Sequence, residues 1–280
     1  PPILTPLWRY TDLAKFVDLL TSQKLWLTNA EILASEDPYE GSPANIRFPH
    51  RSWSSIEELP QGIWEKIQRL YDRNNEREPK ETFDIWFGIQ EQICIIEQNS
   101  RRQYFINCWH AADHESVAMW KIYGSPGAGV AVVTNANRLE DALSENSESL
   151  YLGEIDYRSS DLITIGASNA FDKLMQKRIN YSYEREVRLM FWDTEDAHDP
   201  LLGAVWNTER KRFDNVVEET RPPAAGILLK IDVEALVERV LISPFAPAWY
   251  LPMIERLKEQ LGFRFPVVES KVLSPPKVIP

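Results

Sequence analysis

Short runs of strand-forming residues alternate irregularly with helical segments along this 280-residue chain. Strands are predicted at residues 6–11, 24–28, 104–109, 129–134, 153–157, 187–192, 226–231 and 239–242. Helices are predicted from Leu13, near residues 114–123, 137–145 and 168–179, and between Pro252 and Gly262. A parallel doubly wound sheet would need regular alternation of strand and helix. The irregular order instead predicts an α+β fold with a mixed, mainly antiparallel sheet and flanking helices.

Residues from about 52 to 100 differ from the rest of the chain, because two stretches keep helical spacing of their apolar residues. Around a charged segment, the apolar residues are Ile63, Trp64, Ile67, Leu70 and Tyr71, and then Phe83, Trp86, Phe87, Ile89, Ile93 and Ile96. We interpret this region as a helical hairpin inserted into one α+β domain spanning residues 1–280.

Composition narrows the possible partners. The formal net charge of −11 disfavours general nucleic-acid binding, which depends on lysines and arginines replacing counterions. No apolar run reaches the length of about 20 residues that crosses a bilayer, and the opening residues lack the pattern of a signal peptide. Cys94 and Cys108 are too few for a disulfide framework. We therefore expect a cytoplasmic protein without a membrane partner.

The first candidate site is the predicted strand from Glu184 to Phe191. Side chains alternate along a strand, so Glu184, Glu186 and Arg188 are predicted to share one face. Val187, Leu189 and Phe191 form the opposite face, which is suited to the core. The charged face is predicted either to be solvated or to line a cleft.

The second candidate is the segment from Cys108 to Gly124. Cys108, His110 and His114 resemble part of a zinc site, but the chain contains no second ligand pair, so no metal site is predicted. A nucleophilic thiol at Cys108 would need a lowered pKa and an aligned base. The alternative is a structural role, with Cys108 as a small buried residue and Met119, Trp120 and Tyr123 in the core.

The third candidate is Arg9, between Trp8 and Tyr10 in the first predicted strand. A charged residue in such a strand is expected to have a partner. One interpretation is a structural ion pair with a carboxylate such as Glu186. The other is a guanidinium that binds a pyrophosphate through two parallel hydrogen bonds. The second interpretation requires the first strand and the acidic strand to lie side by side and face one hollow.

These segments resemble a family known as domain of unknown function 2971. The resemblance rests on four blocks that span most of the chain. They are Leu7-Trp8-Arg9-Tyr10; Leu25-Trp26-Leu27 with Asp37-Pro38-Tyr39-Glu40-Gly41; Met119-Trp120-Lys121-Ile122-Tyr123-Gly124 with Gly129-Val130-Ala131; and Tyr183-Glu184-Arg185-Glu186-Val187-Arg188. The family implies no settled activity, although such members are suspected effectors in bacterial conflict and phage defence.

A fainter resemblance is to ADP-ribosyltransferases, which open with a strand bearing an Arg or His and later present Glu-x-Glu at a strand. Arg9 and Glu184-x-Glu186 occur in that order, whereas Asn107-Cys108-Trp109-His110 replaces the Ser-Thr-Ser strand of that family. The resemblance implies NAD as substrate, with Glu186, Glu184 and Arg9 catalytic. It further implies a nucleotide-binding set of Arg9, Tyr10, Trp109, His110, Trp120, Tyr123 and Arg188.

In this hypothesis Glu186 binds the ribose 2′-hydroxyl, Glu184 orients a protein or nucleic-acid acceptor, Arg9 holds the pyrophosphate, and Tyr123 packs on the nicotinamide. A carboxylate can stabilise the positive charge that develops on the sugar. The biological expectation is an NAD-consuming effector or toxin. Two alternatives remain open: a non-catalytic module that binds a nucleotide or partner, and a metal-dependent nuclease or hydrolase built on Glu184, Glu186, His110 and Asp113.

Overall fold

The computed structural model describes residues 4–37, 40–41, 53–125, 127–159, 171–193, 204–210, 212–215 and 224–275. The α-helices in these ranges are α1 (Leu13–Ser22), α2 (Ala30–Glu36), α3 (Gln61–Tyr71), α4 (Pro79–Asn99), α5 (Val117–Ile122), α6 (Ala136–Leu143), α7 (Val233–Leu236) and α8 (Tyr250–Gln260).

The strands in the same ranges are β1 (Leu7–Asp12), β2 (Lys24–Asn29), β3 (Tyr104–Ala111), β4 (Gly129–Thr134), β5 (Leu150–Glu154), β6 (Asp156–Arg158), β7 (Gln176–Arg178), β8 (Glu186–Trp192), β9 (Ala204–Asn207), β10 (Arg212–Asn215), β11 (Gly226–Lys230), β12 (Arg239–Ile242) and β13 (Val267–Glu269). Strands and helices follow one another irregularly.

One large sheet organises the described residues. Its strand order is β11-β2-β3-β1-β4-β12-β13, and β8 and then β5 extend from the other edge of β3. Apart from the parallel pair β12–β13, its strands are antiparallel. The predicted α+β class with a mixed, mainly antiparallel sheet is confirmed.

Helices cover both faces of the sheet. On one face, apolar residues of α1, α6, α7 and α8 join the largest core cluster, which includes Phe16, Leu139 and Ile254. On the other face, Met119 and Trp120 of α5 pack beneath β1 and β4. Strand β4 is therefore buried along its entire length. A strand with both faces covered needs apolar side chains on both faces, which explains the nearly continuous apolar sequence of β4.

The predicted helical hairpin is confirmed. Helices α3 and α4 pack together around Ile67, Phe83 and Trp86, in a cluster separate from the sheet core. Among the described residues, none of the helices has the length and apolar composition needed for a bilayer crossing.

Two element predictions are wrong within the described part of the chain. The region predicted to be helical near residues 168–179 is described only from residue 171, where it forms a short 3-10 helix (Asp172–Leu174) and then β7. The strand predicted from Glu184 begins instead at Glu186, because the 3-10 helix Ile179–Glu184 precedes it. Arg185 joins the two with φ of 42°, a left-handed conformation that an extended strand cannot contain.

Candidate functional site: a cleft at an opening in the sheet

The sheet contains an opening along one edge of β3. Strand β1 pairs with the end of β3, at Leu7–Ala111 and Trp8–His110, whereas β2 pairs with its beginning, at Thr28–Ile106 and Asn29–Phe105. Beyond these pairs β1 follows β4 and β2 follows β11. At residues 107–109, the edge of β3 that faces this opening therefore pairs with neither β1 nor β2.

A cavity of about 360 Å³ lies at this opening. All the site residues predicted from the sequence line it except Trp120. Its described lining is Trp8, Arg9, Tyr10, Thr28, Leu33, Asp37, Glu40, Ile106, Asn107, Cys108, Trp109, His110, Met119, Tyr123, Lys177, Tyr181, Tyr183, Glu184, Glu186 and Arg188. The cavity combines carboxylates, cations and aromatic rings, as small-molecule sites do.

Arg188 and Glu186 form the buried floor of the cavity. Register pairing places Glu186 opposite His110 and Arg188 opposite Cys108, so all four side chains share one face. Nε of Arg188 donates to Oε1 of Glu186 at 2.7 Å, and its Nη2 donates to Oε2 of Glu40 at 2.8 Å. Glu186 and Arg188 are buried, so the alternative of a solvated charged face is wrong. The desolvated guanidinium is compensated by two carboxylates.

Lys177 links the two glutamates of the Glu-x-Glu segment. Its Nζ lies 3.2 Å from Oε2 of Glu186 and also binds Oε2 of Glu184. Glu184 in turn accepts a hydrogen bond of 2.7 Å from the hydroxyl of Tyr123. Burial lowers the pKa of Lys177, but Glu186 and Glu184 raise it more, so the ammonium stays charged. Both glutamates face the cavity although only Glu186 belongs to β8.

Glu186 is ionised across the physiological pH range. Burial alone would raise the pKa of its carboxyl, but Arg188 and Lys177 oppose that effect and hold the pKa at about 2. A carboxylate fixed in this way keeps its charge and orientation without needing a ligand. The cavity therefore presents a permanent negative charge on its floor.

Acidification is expected to destabilise the protein as the pH falls from about 4.5 to about 2. The folded pKa of Glu186 lies below its ordinary value of 4.5, so the stability it contributes is present above pH 4.5 and lost as the pH falls through 2. Urea unfolding at several acidic pH values should show this loss. Glu186→Gln should show a shallower pH dependence than wild type; identical slopes would contradict the assignment.

Cys108 differs from its structural interpretation, whereas His110 lines the cavity. Solvent reaches Cys108 through the cleft, so the prediction of a small buried residue is wrong. Although solvent reaches this thiol, the protein atoms around it remove part of its hydration. This desolvation and the charge of Glu186 raise the pKa of the thiol well above the usual value, which disfavours the thiolate needed for nucleophilic attack. His110 is buried, and burial lowers its pKa. Its Nδ1 lies 2.5 Å from the carbonyl oxygen of Glu184, which can only accept, so Nδ1 is assigned the proton.

The aromatic residues of the predicted set have separate roles. Tyr10 lines the cavity and packs edge-on against Trp120, with ring centroids 4.9 Å apart. Trp120 is buried behind Tyr10 and donates from Nε1 to Glu115, so it supports the lining without reaching the cavity. Met119 is also buried, as the structural alternative predicted. Tyr123 is 45% exposed, so it is not the core residue that this alternative required.

Arg9 lies on the opposite side of β1 from Trp8 and Tyr10. Its guanidinium lies 5.9 Å from the ring centroid of Trp109, whereas Tyr10 contacts His110. Within the described part of the chain, Arg9 has neither an ion pair nor a side-chain hydrogen bond, so the predicted structural pair with Glu186 is wrong. Strand β3 separates β1 from β8, and the two strands are not side by side as expected. Both residues nevertheless line the same cavity.

Sequence reasoning missed Lys177 and the role of Glu40. Glu40 belongs to the block Asp37-Pro38-Tyr39-Glu40-Gly41 of the family resemblance, which assigns it no role, and Lys177 has no local pattern that marks it. Pro38 and Tyr39 of that loop lie outside the described residues. Asp113 and His114, considered as metal ligands, do not line the cavity. In the described ranges, no three His, Cys, Asp or Glu side chains are grouped to hold a metal ion.

The fold and cleft define the chain as an α+β protein with a charged cavity at an opening in its sheet. The family model described as "Protein of unknown function (DUF2971)" matches residues 119–189, which confirms the resemblance to that family over this segment. No curated protein is significantly similar to the chain. Among solved structures, Thermus sp. 2.9 DarT in complex with carba-NAD+ matches over 96% of each chain, at 11% identity and a TM-score of 0.33.

Proposed function

We propose that the cavity binds NAD and that Glu186 promotes cleavage of the bond between ribose and nicotinamide, as in ADP-ribosyltransferases. The main support is the buried carboxylate of Glu186, whose charge is maintained by Arg188 and Lys177. When the glycosidic bond breaks, its electron pair leaves with nicotinamide and positive charge develops on the ribose. A fixed negative charge stabilises that state more than the ground state.

The proposed roles of the other cavity residues follow from their positions. Tyr123 and Tyr10 supply ring surfaces for the nicotinamide, and Glu186 accepts a hydrogen bond from the ribose 2′-hydroxyl. Arg9, without a carboxylate partner in the described part of the chain, binds the pyrophosphate. Glu184 orients the acceptor. The nucleophilic atom of the acceptor forms the new bond to the ribose carbon, and the proton that this atom loses passes to solvent or to the carboxylate of Glu184. The acceptor class is a protein or a nucleic acid.

The cellular part of the proposal rests on the family resemblance. We propose a cytoplasmic, NAD-consuming effector or toxin in bacterial conflict or phage defence. The family match supports the relationship of residues 119–189 to that family, and the proposed NAD chemistry is supported by the cavity residues.

A second candidate is a module that binds a nucleotide without turnover. It is favoured by the ion pairs that already engage both carboxylate groups, because Glu186 contacts Arg188 and Lys177 and Glu184 contacts Lys177. Such a network could serve to position a ligand alone. This candidate predicts thermal stabilisation by the ligand without any product.

One experiment distinguishes the candidates. The full chain is incubated with NAD and with protein and nucleic-acid acceptors, and mass spectrometry measures nicotinamide, free ADP-ribose and modified acceptor, while thermal unfolding is followed with NAD alone. The enzyme proposal predicts release of nicotinamide. Stabilisation by NAD with no product would support the binding module, and neither effect would contradict both.

A further inference from the structure

A second cavity, of about 530 Å³, lies on the α1 side of the same opening. Its described lining is Arg9, Thr11, Lys15, Phe16, Asp18, Leu19, Lys24, Leu25, Trp26, Thr28 and Val132. Arg9 and Thr28 also line the first cavity. The two cavities therefore adjoin at the opening between β1 and β2.

The two cavities differ in charge. The described lining of the first contains four carboxylates and three cationic side chains, whereas that of the second contains one carboxylate, Asp18, and the cations Arg9, Lys15 and Lys24. This excess of positive charge occurs in a chain with a net charge of −11. A concave site of one sign concentrates ligands of the opposite sign. The second cavity is thus suited to an anion, and the first is less so.

Several hydrogen-bond donors at the opening have no acceptor in the described ranges. The half-buried guanidinium of Arg9 makes no hydrogen bond to the residues in these ranges, and burial lowers its pKa to about 10. The Nε1 of Trp109 is buried without a partner, and its ring lies beside Arg9. A partly buried cation without a compensating charge is costly, and buried donors are normally satisfied. Trp109 lines only the first cavity, whereas Arg9 lines both, so an anion in the second cavity would supply an acceptor for the guanidinium of Arg9.

We propose that the second cavity binds the phosphate or pyrophosphate group of a ligand through Arg9, Lys15 and Lys24. Arg9 offers a planar donor pair that matches phosphate oxygens, and the lysines add charge at the exposed side. Lys15 lies 3.5 Å from Asp12, but both side chains are exposed, and an exposed ion pair is weak enough for a phosphate to compete with it. Thr11 and Thr28 add hydroxyl donors. This site rests on the proposed function, in which Arg9 binds the pyrophosphate of NAD, and it adds Lys15 and Lys24 of the second cavity to that contact.

The test is calorimetric titration of the full chain with inorganic pyrophosphate at low ionic strength, where charge interactions are least screened. Wild type is expected to bind saturably. The double variant Lys15→Ala/Lys24→Ala is expected to bind about tenfold or more weakly, because it removes two of the three cationic side chains in the described lining of the cavity. Lys66→Ala, which removes an exposed lysine of α3, is the matched control and should bind like wild type.

Tyr183→Ala locates the anion, because it alters the first cavity alone and should leave pyrophosphate affinity within about twofold of wild type. The proposal is overturned if wild type shows no saturable binding. It is also overturned if the double variant binds like wild type, or if Lys66→Ala weakens binding as much as the double variant does. A chain that binds pyrophosphate but leaves NAD intact would support this site and contradict the enzyme proposal.

Discussion

Replacing Arg188 by Met is expected to lower the free energy of unfolding by about 3–5 kcal/mol. The Arg188 side chain is 1% exposed and binds the carboxylates of Glu40 and Glu186. Methionine fills a similar volume but removes the buried cation that binds Glu40, and it leaves Glu186 with Lys177 alone. The two carboxylates must then take up protons or draw water into the core. Urea unfolding followed by circular dichroism at neutral pH measures the loss.

The matched control is Arg102→Met. Arg102 also pairs with a glutamate, Glu31, at 3.1 Å, but its side chain is 31% exposed. An ion pair in contact with solvent contributes little, so this variant should lose less than about 1 kcal/mol. If both variants lost the same free energy, burial would not be the reason for the large effect. If Arg188→Met were as stable as wild type, the described network would be wrong.

Glu186→Gln is expected to reduce nicotinamide release from NAD by about 10²- to 10³-fold. Gln keeps the size and hydrogen-bonding capacity of the side chain but removes its negative charge, and loss of one preorganised electrostatic contact typically costs about 2.7–4 kcal/mol in the transition state. The variant should remain folded because Arg188 keeps its contacts with Glu40. Circular dichroism verifies folding before the rates are compared.

Glu145→Gln is the control for loss of a paired carboxylate elsewhere. Glu145 binds Lys230 at 2.6 Å, and both side chains are 72% exposed and outside the cavity. Its nicotinamide release should equal that of wild type. An equal loss in both variants would assign the effect to net charge or handling of the protein, and would remove the argument for Glu186.

Local sequence pattern predicted the face relationships within β8. Alternation correctly placed Glu186 and Arg188 on one face and Val187 and Leu189 in the core. It did not predict the left-handed Arg185, because nothing in the residue types required a break between Glu184 and Glu186. Glu184 and Glu186 both line the cavity, although they do not share a strand face as expected, because Glu184 belongs to the 3-10 helix that precedes β8.

Burial of the charged face could not be predicted from spacing. Glu40 lies 148 residues before Arg188 in the sequence, so no local pattern around either residue indicates that they pair. The position of Arg9 shows the same limit. Alternation correctly separates it from Trp8 and Tyr10, but only the assembled sheet shows that β3 lies between β1 and β8. Long-range topology, more than local pattern, decides which charged groups meet.

The most direct measurement is the rate of nicotinamide release from NAD by wild-type protein and by Glu186→Gln, side by side and at equal folded concentration. The account predicts measurable release by wild type and a rate lower by about 10²-fold or more in the variant. Equal rates in the two proteins, or no release by wild type with any acceptor class, would contradict a catalytic role for the carboxylate on the cavity floor.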